Sequence, residues 1–488
     1  MPARHAVRGR VVFRVRPGED PADIPHHGDV VLGARSPFPR FEGGGVERVL
    51  RRFTPAMKVS RVFGAAQSLA LPGRRHLGFD ALEVETGLSR TYRVDLDPDA
   101  DLDALVRDLR GLAAVEMASR HWLCQTPFGG ADDRALGGAD DRALDAAGRE
   151  RGGAGSSHAA LARLAGAAVA RQIGSAEALR LEPGDSALIV AVLDSGVDLD
   201  HPEFHGRLRP GVDAVSLPQG RLSRWVQLIR TGAGRRQEPR DDMGHGSATA
   251  GIIGALGERL PRGLAGAARL LPVRVLAGAR MGAEQGVTAI GAIPDIDAGV
   301  KAAVDLGARV LNLSFGTPET ALEEGEAPPH VEIIRYALAR GCVLVAAAGN
   351  TGDGTRYFPA ALPGVIAVGA VGASGRPSPF SSRGPHVALC APGEEIPTAG
   401  LRGYQLSTGT SFAAPFVTAA CALLLAHAAR RSEPVSPAQV RALLVRSAAP
   451  FRGRAAGFGA GILDVPSALR ALEAATAPVP LSRTGASA

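Results

Sequence analysis

Gly409-Thr410-Ser411-Phe412-Ala413-Ala414-Pro415 leads into Phe416-Val417-Thr418-Ala419-Ala420-Cys421-Ala422-Leu423-Leu424-Leu425-Ala426-His427, a run without a carboxylate, lysine or arginine. Apolar residues fall on nearly every face, so the pattern predicts a helix buried all round. Gly409 permits a tight turn into that helix. Pro415 is expected in its first turn, where a missing N–H costs nothing because that donor has no intrahelical partner. Ser411 is thereby placed at the N-terminus of a buried helix. Free N–H groups and the positive end of the helix dipole favour negative charge there. A hydroxyl in that place is suited to attack a carbonyl, provided a base is at hand.

The base and its orienting acid lie upstream. Ala187-Leu188-Ile189-Val190-Ala191-Val192-Leu193 is a continuous apolar run of strand length ending at Asp194-Ser195-Gly196. Such a run predicts a strand buried on both faces of a parallel sheet, and an acid at its C-terminal end lies where open α/β sheets bind ligands. His245 follows in Asp241-Asp242-Met243-Gly244-His245-Gly246-Ser247, ahead of a small-residue helical segment. A second buried run, Val343-Leu344-Val345-Ala346-Ala347-Ala348, ends at Gly349-Asn350, whose side-chain amide is a candidate donor to an oxyanion. The chain order is therefore Asp, His, Ser. Subtilisin has that order, whereas chymotrypsin-like enzymes run His-Asp-Ser and α/β-hydrolases Ser-Asp-His.

On these motifs the chain resembles the subtilisin-like serine proteases over roughly residues 165–472. Secondary matches are His201-Pro202-Glu203-Phe204, Leu313-Ser314-Phe315-Gly316, Phe380-Ser381-Ser382-Arg383-Gly384 and Ala391-Pro392-Gly393. The resemblance implies a doubly wound parallel α/β sheet with a triad of Asp194, His245 and Ser411. The Asn350 amide and the Ser411 backbone N–H would form the oxyanion hole. It further implies that Ser314, Phe315 and Gly316, with Ala348 and Gly349, bind the substrate main chain and wall the primary pocket. Gly354 to Pro359 would close the pocket's far side, with its preference left open. Peptides or proteins are the implied substrates. The family often has a second histidine where Ala248 stands, a position outside the triad.

Four segments are expected. Residues 1–125 alternate strands and helices: Arg10 to Arg16, Thr91 to Leu96 and Val115 to Ala118 read as strands, Asp101 to Arg110 as a helix. They resemble the small α+β, ferredoxin-like pro-domains that precede many subtilisin-like catalytic domains and inhibit them until cut away. Residues 126–164 read as a flexible linker, because Gly129-Gly130-Ala131-Asp132-Asp133-Arg134-Ala135-Leu136 recurs unchanged over 137–144 and more Gly, Ala and Ser follow. Residues 165–472 form the catalytic domain, with an arginine-rich, weakly periodic stretch over 207–240 expected as a solvated surface loop. Residues 473–488 are expected to be disordered.

Composition narrows the function. A net charge of +6 is spread along an Arg-, Ala- and Gly-rich chain with only 4% aromatic residues, which argues against a nucleic-acid partner. Cys124, Cys342, Cys390 and Cys421 lack metal-ligand spacing and are expected to be reduced and buried. No secretory signal is visible at the N-terminus and no apolar segment approaches the length of a membrane span, so a cytoplasmic enzyme without a membrane partner is expected. No cofactor is required by this chemistry. Asp198, Asp200 and Glu203 are hard oxygen ligands close together, and family members often bind structural calcium; but Gly254 to Ala268 lacks the Asn-rich loop that usually completes the commonest site and no EF-hand spacing occurs, so metal stays unassigned. Two rival activities use the same fold: a peptide ligase or cyclase, which passes the acyl group to an amine, and a protease dedicated to one precursor. A sedolisin-type peptidase would need Glu at position 245, and an inactive binding scaffold would not need the four catalytic positions intact.

Overall fold

The computed structural model describes residues 5–126, 165–229 and 238–476, apart from 22–23, 32, 42–43, 67–77, 283–286, 324–325 and 402. The tandem repeat, with the rest of 127–164, lies outside the described residues, as do 477–488.

The N-terminal unit has strands β1 (Ala6–Val15), β2 (Lys58–Arg61), β3 (Thr91–Asp95) and β4 (Val115–Gln125), in the spatial order β2-β3-β1-β4 with every pair antiparallel. Helices Gly44–Phe53 and Leu102–Arg110 connect β1 to β2 and β3 to β4, which gives the ferredoxin-like β-α-β-β-α-β unit. Asp101 caps the second helix by accepting from the Asp103 and Ala104 N–H groups, and Leu102, Leu105, Val106 and Leu109 carry its buried face.

Seven parallel strands form the second layer: β5 (Ile189–Asp194), β6 (Val212–Asp213), β8 (Arg269–Arg274), β11 (Val310–Leu313), β13 (Val343–Ala347), β15 (Ile366–Val371) and β16 (Val387–Pro392). Their order is β16-β15-β13-β11-β5-β8-β6. The chain therefore winds from β5 to one side and then returns to build the other, so the switch point lies between β5 and β11. Crevices outside the C-terminal ends of strands at such a point are where open α/β sheets hold ligands. Asp194 ends β5, Ser314 follows β11, and Asn350 follows β13.

Helix Thr410–Arg430 crosses this sheet and packs on β11, β13, β15 and β16 and on helix His245–Gly254. Every residue from Thr410 to Ala428 is buried, and the alanines supply good helix propensity where packing leaves room for nothing larger. By length and composition the helix is apolar enough to cross a membrane, contrary to the sequence expectation, but nearly all of it is buried inside the fold. Pro415 also departs from expectation. It is the sixth residue of the helix, so its missing N–H leaves the Ser411 carbonyl without its i+4 donor. Ser314 Oγ donates to that carbonyl instead, at 2.8 Å.

Two further regions differ from the sequence reading. The segment within 207–240 is no free loop where described. It contributes β7 (Val226–Leu228), which joins β9 (Ala277–Met281) and β10 (Val287–Ala292) in a small antiparallel extension. Helix Val465–Thr476 also carries order four residues past the expected start of the tail.

β10 then pairs with β4, so the sheet of the N-terminal unit runs on into this extension, apart from the parallel sheet: Leu123 faces Ala292, Cys124 faces Gly291 and Gln125 faces Ile290. Ion pairs reinforce the join. Lys301 Nζ lies 2.5 Å from Glu83 and 2.6 Å from Asp305, all three side chains at most 3% exposed. Arg14 meets Glu332 at 2.6 Å, and Arg93 approaches Asp295 at 3.5 Å. Val62, Phe63, Leu88 and Cys124 enter the same apolar cluster as Val300 and Tyr336. All four cysteines are buried and none forms a disulfide.

Candidate active site

Asp194 is fully buried at the end of β5, and its Oδ1 accepts from His245 Nδ1 at 2.7 Å and from the Ser195 N–H at 2.7 Å. A carboxylate oxygen cannot donate, so the proton of that bond belongs to Nδ1 and the lone pair is left on Nε2. The other oxygen, Oδ2, receives the Thr249 hydroxyl at 3.4 Å. His245 begins its helix, 11% exposed, and its ring centroid lies 5.2 Å from that of Phe412, the residue after Ser411. Gly246 is required by closeness: a Cβ there would lie 2.0 Å from the Gly196 carbonyl oxygen and 3.1 Å from Asp194 Cβ.

Ser411 is the second residue of its helix, where a backbone N–H has no intrahelical acceptor. Its Oγ donates to the Ser314 carbonyl at 3.3 Å. Ser314 is tied down in turn, with Oγ accepting from Asn312 Nδ2 at 2.9 Å while Asn312 Oδ1 accepts from Thr418 Oγ1 at 2.9 Å. Asn350 is oriented by Thr410, whose N–H and hydroxyl donate to Oδ1 at 2.9 and 2.8 Å. A backbone N–H can bond only the oxygen of the amide, so Nδ2 is the end directed past Gly409. The Gly349 N–H donates to Thr410 Oγ1 at 3.2 Å.

The residues expected to bind substrate main chain divide in two. Ser314 and Gly349 join the Ser411–Thr410 network directly. Phe315 turns its side chain into the core, 1% exposed with its ring 6.2 Å from that of His330, so only its main chain is available to a peptide. The Ala348 N–H is taken by the Val368 carbonyl at 3.0 Å. Gly316 and Gly349 both lie against Tyr357.

Asp241 is the residue the sequence analysis missed. Its Oδ1 accepts from Ser195 Oγ (2.8 Å), Met243 N (3.0 Å) and Gly244 N (2.9 Å), and its Oδ2 from Ser247 N (2.8 Å) and Ser247 Oγ (2.6 Å). It caps the His245 helix from a distance and ties it to Ser195, which also accepts from the Gly246 N–H at 3.0 Å. The only sequence signal was an acid shortly before a Gly-His-Gly turn.

Two of the three carboxylates considered for calcium have their oxygens engaged by protein donors. Glu203 is buried, and its two oxygens accept four N–H groups, those of Gly257, Glu258, Arg259 and Leu260, at 2.7–3.1 Å. Asp200 pairs with Arg240 at 2.7 Å. Among the described residues no group of three or more His, Cys, Asp or Glu is arranged to hold a metal ion.

Residues 185–461 match the sequence profile of the subtilase family, peptidase S8, more than half of the chain. The major intracellular serine protease of Bacillus subtilis is 32% identical over 272 residues, 54% of this chain and 76% of that protein. The thermophilic serine proteinase of Bacillus sp. strain AK1 is 36% identical over 247 residues, 49% of this chain and 53% of that one. A protease from Pseudoalteromonas arctica shares the fold at a TM-score of 0.50 and 25% identity, over 62% of this chain and 94% of its own. The chain thus belongs to the subtilase family, and it spans about half the length of curated relatives such as the strain AK1 proteinase.

Proposed function

We propose that the protein is a serine endopeptidase that hydrolyses peptide bonds through an acyl-enzyme and is made as a self-processing zymogen. The observation that carries this reading is the buried 2.7 Å bond from His245 to Asp194, with the imidazole lying against the residue that follows Ser411. In the reaction Ser411 Oγ exchanges its weak bond to Ser314 for one to His245 Nε2 and attacks the carbonyl carbon. His245 takes the hydroxyl proton and delivers it to the leaving amine, and Asp194 holds the tautomer and stabilises the imidazolium. Negative charge on the tetrahedral oxygen is received by Asn350 Nδ2 and the Ser411 N–H at the positive end of the helix. Water then repeats the sequence on the ester and frees the serine.

The N-terminal unit serves as an intramolecular inhibitor. β4 supplies main-chain partners to the edge of β10, as an extended peptide does when it adds to a sheet. The test is the intact mass of purified wild type beside Ser411→Ala. Wild type should be cut between about residues 125 and 168 while the variant stays at 50.2 kDa. If both remain whole, self-processing is wrong, and labelling of Ser411 by a fluorophosphonate then decides whether the nucleophile assignment survives.

A further inference from the structure

The two segments beside Ser411 carry glycines that face a single aromatic ring. Ser314–Gly316 leaves β11 and Ala348–Asn350 leaves β13, its parallel neighbour, with Leu313 opposite Ala346. Ser411 Oγ lies 3.3 Å from the Ser314 carbonyl oxygen, and Asn350 is held by Thr410. A carbonyl within reach of both Ser411 and Asn350 therefore sits at the head of the slot between these segments, and the side chain of the acyl residue has that slot to enter.

Tyr357 already fills it. Two short strands, β12 (Thr317–Pro318) and β14 (Tyr357–Phe358), pair with Tyr357 opposite Pro318, which carries the ring across the slot. A Cβ on Gly349 would lie 2.3 Å from Tyr357 Cδ2 and 2.5 Å from Cε2, while a Cβ on Gly316 would lie 3.2 Å from Cδ1, on the opposite edge of the same ring. Gly349 also has φ +113°, a conformation that side chains other than glycine rarely adopt. Glycine on both sides is what admits the ring, and the tyrosine is only 7% exposed.

We propose that Tyr357 closes the primary specificity pocket, so that the enzyme accepts glycine, alanine or serine on the acyl side of the scissile bond and excludes aromatic, long aliphatic and basic residues. This rests on the Ser411-centred hydrolysis proposed above and names its substrate class. The exclusion is steric, because the volume a large side chain needs is occupied by packed carbon. The chain's own 127–164 segment carries suitable bonds, with Gly-Gly-Ala at 129–131 and again at 137–139.

The test uses the full-length enzyme and fluorogenic peptides that differ only in that residue: alanine, leucine, phenylalanine or lysine. In wild type and Tyr357→Phe, kcat/KM for alanine should exceed that for phenylalanine by at least about tenfold. In Tyr357→Gly the phenylalanine substrate should gain at least about tenfold while alanine stays within about threefold. Tyr357→Ala gives the same reading, with a smaller gain, should the glycine variant not fold. Equal rates for alanine and phenylalanine in wild type overturn the proposal, and so does an unchanged preference in the enlarged variants. Labelling by a small fluorophosphonate, which places no side chain in the slot, separates the two levels. Labelled enzyme that accepts phenylalanine refutes the closed pocket alone, whereas unlabelled wild type refutes the nucleophile and the pocket with it.

Discussion

Replacing Asp241 tests whether the proposed triad depends on a residue that touches none of the reacting atoms. Five donors converge on this buried carboxylate: three backbone N–H groups and two hydroxyls. In Asp241→Asn one oxygen can still receive Ser195 Oγ, Met243 N and Gly244 N, but the new NH2 faces the Ser247 N–H, donor against donor. Hydrogen bonds to a charged group contribute about 1.5–3 kcal/mol each, and an orphaned buried donor costs about 1–3 kcal/mol. Losing the charge and one acceptor should therefore destabilise the protein by about 2–4 kcal/mol, a large share of an ordinary total of about 5–15 kcal/mol. Asp241→Ala orphans all five donors and should cost more.

The catalytic consequence is separable from the stability. Asp241 fixes both Ser195, next to Asp194, and the first turn of the His245 helix, so loosening it shifts acid and base relative to each other. A displacement near 1 Å costs on the order of 10²-fold in rate. The expected result for Asp241→Asn is kcat on a peptide lowered about 10²-fold with KM changed much less, measured well below the variant's own denaturant midpoint. Ser195→Ala removes one of the same bonds, so the two substitutions should couple by about 1 kcal/mol in a double-mutant cycle. An Asp241→Asn enzyme within about 0.5 kcal/mol of wild-type stability and about twofold of its kcat would show that the network is incidental.

Three other outcomes follow from the same structure. Asn350→Ala should lower kcat with little change in KM, by about 3 kcal/mol, the size such a donor contributes in subtilisin itself; steady-state kinetics with wild-type kcat would sink the assignment. Lys301→Met leaves the buried Glu83 and Asp305 carboxylates without their cation and should weaken the join between the N-terminal unit and the rest of the fold by about 3–5 kcal/mol, seen as earlier loss of the unit in urea. Acid should loosen the same join. His27 Nε2 accepts from Arg93 Nη1 at 2.8 Å, and burial, with Arg93 and Arg10 nearby, pulls its pKa down to about 2. Burial likewise holds His121 well below its ordinary value. A histidine kept neutral in the folded state gives stability that is complete above its unfolded value near 6.5 and is lost as pH falls from there towards the folded value, at about 1.4 kcal/mol per pH unit. Melting temperature between pH 7 and 5 should therefore fall less steeply in His27→Gln than in wild type, and identical slopes would exclude His27 from the effect.

What was legible in the sequence is the chemistry that one short stretch of backbone dictates. An uninterrupted apolar run ending in Asp194 needs no tertiary information to be read as a buried strand, and the charge-free stretch after Ser411 reads as a core helix for the same reason. The ferredoxin-like unit was visible at Asp101, where a cap precedes a 3.6-residue apolar period, and fainter over the first 90 residues. The hairpin of β9 and β10 was missed because Ala277-Gly278-Ala279 and Ala289-Ile290-Gly291-Ala292 are poor in the β-branched and aromatic residues that mark strands. Those strands form because β4 and β7 give them main-chain partners.

The positioning groups were illegible for a different reason: each is half of a compensation whose other half is far away in the chain. Pro415 breaks a helical hydrogen bond that Ser314 replaces, so neither residue explains itself alone, and the repair fixes the main chain of Ser411 to the wall of the slot. Asp241 looks like a loop acid until Ser195 and Ser247 close on it. Gly316 and Gly349 look like turn residues until Tyr357 needs the space between them. In each case a local rule is broken and the protein restores it with a contact that also sets the geometry at Ser411. Removing Ser314 Oγ should for that reason behave unlike an ordinary lost hydroxyl. Ser314→Ala leaves the Ser411 carbonyl, buried and already deprived of its helical donor by Pro415, without the partner it has here, and that should cost about 1–3 kcal/mol. Restoring the helical N–H by Pro415→Ala should return much of the loss, a rescue that two independent sites would not show and that a thermal-unfolding double-mutant cycle detects directly.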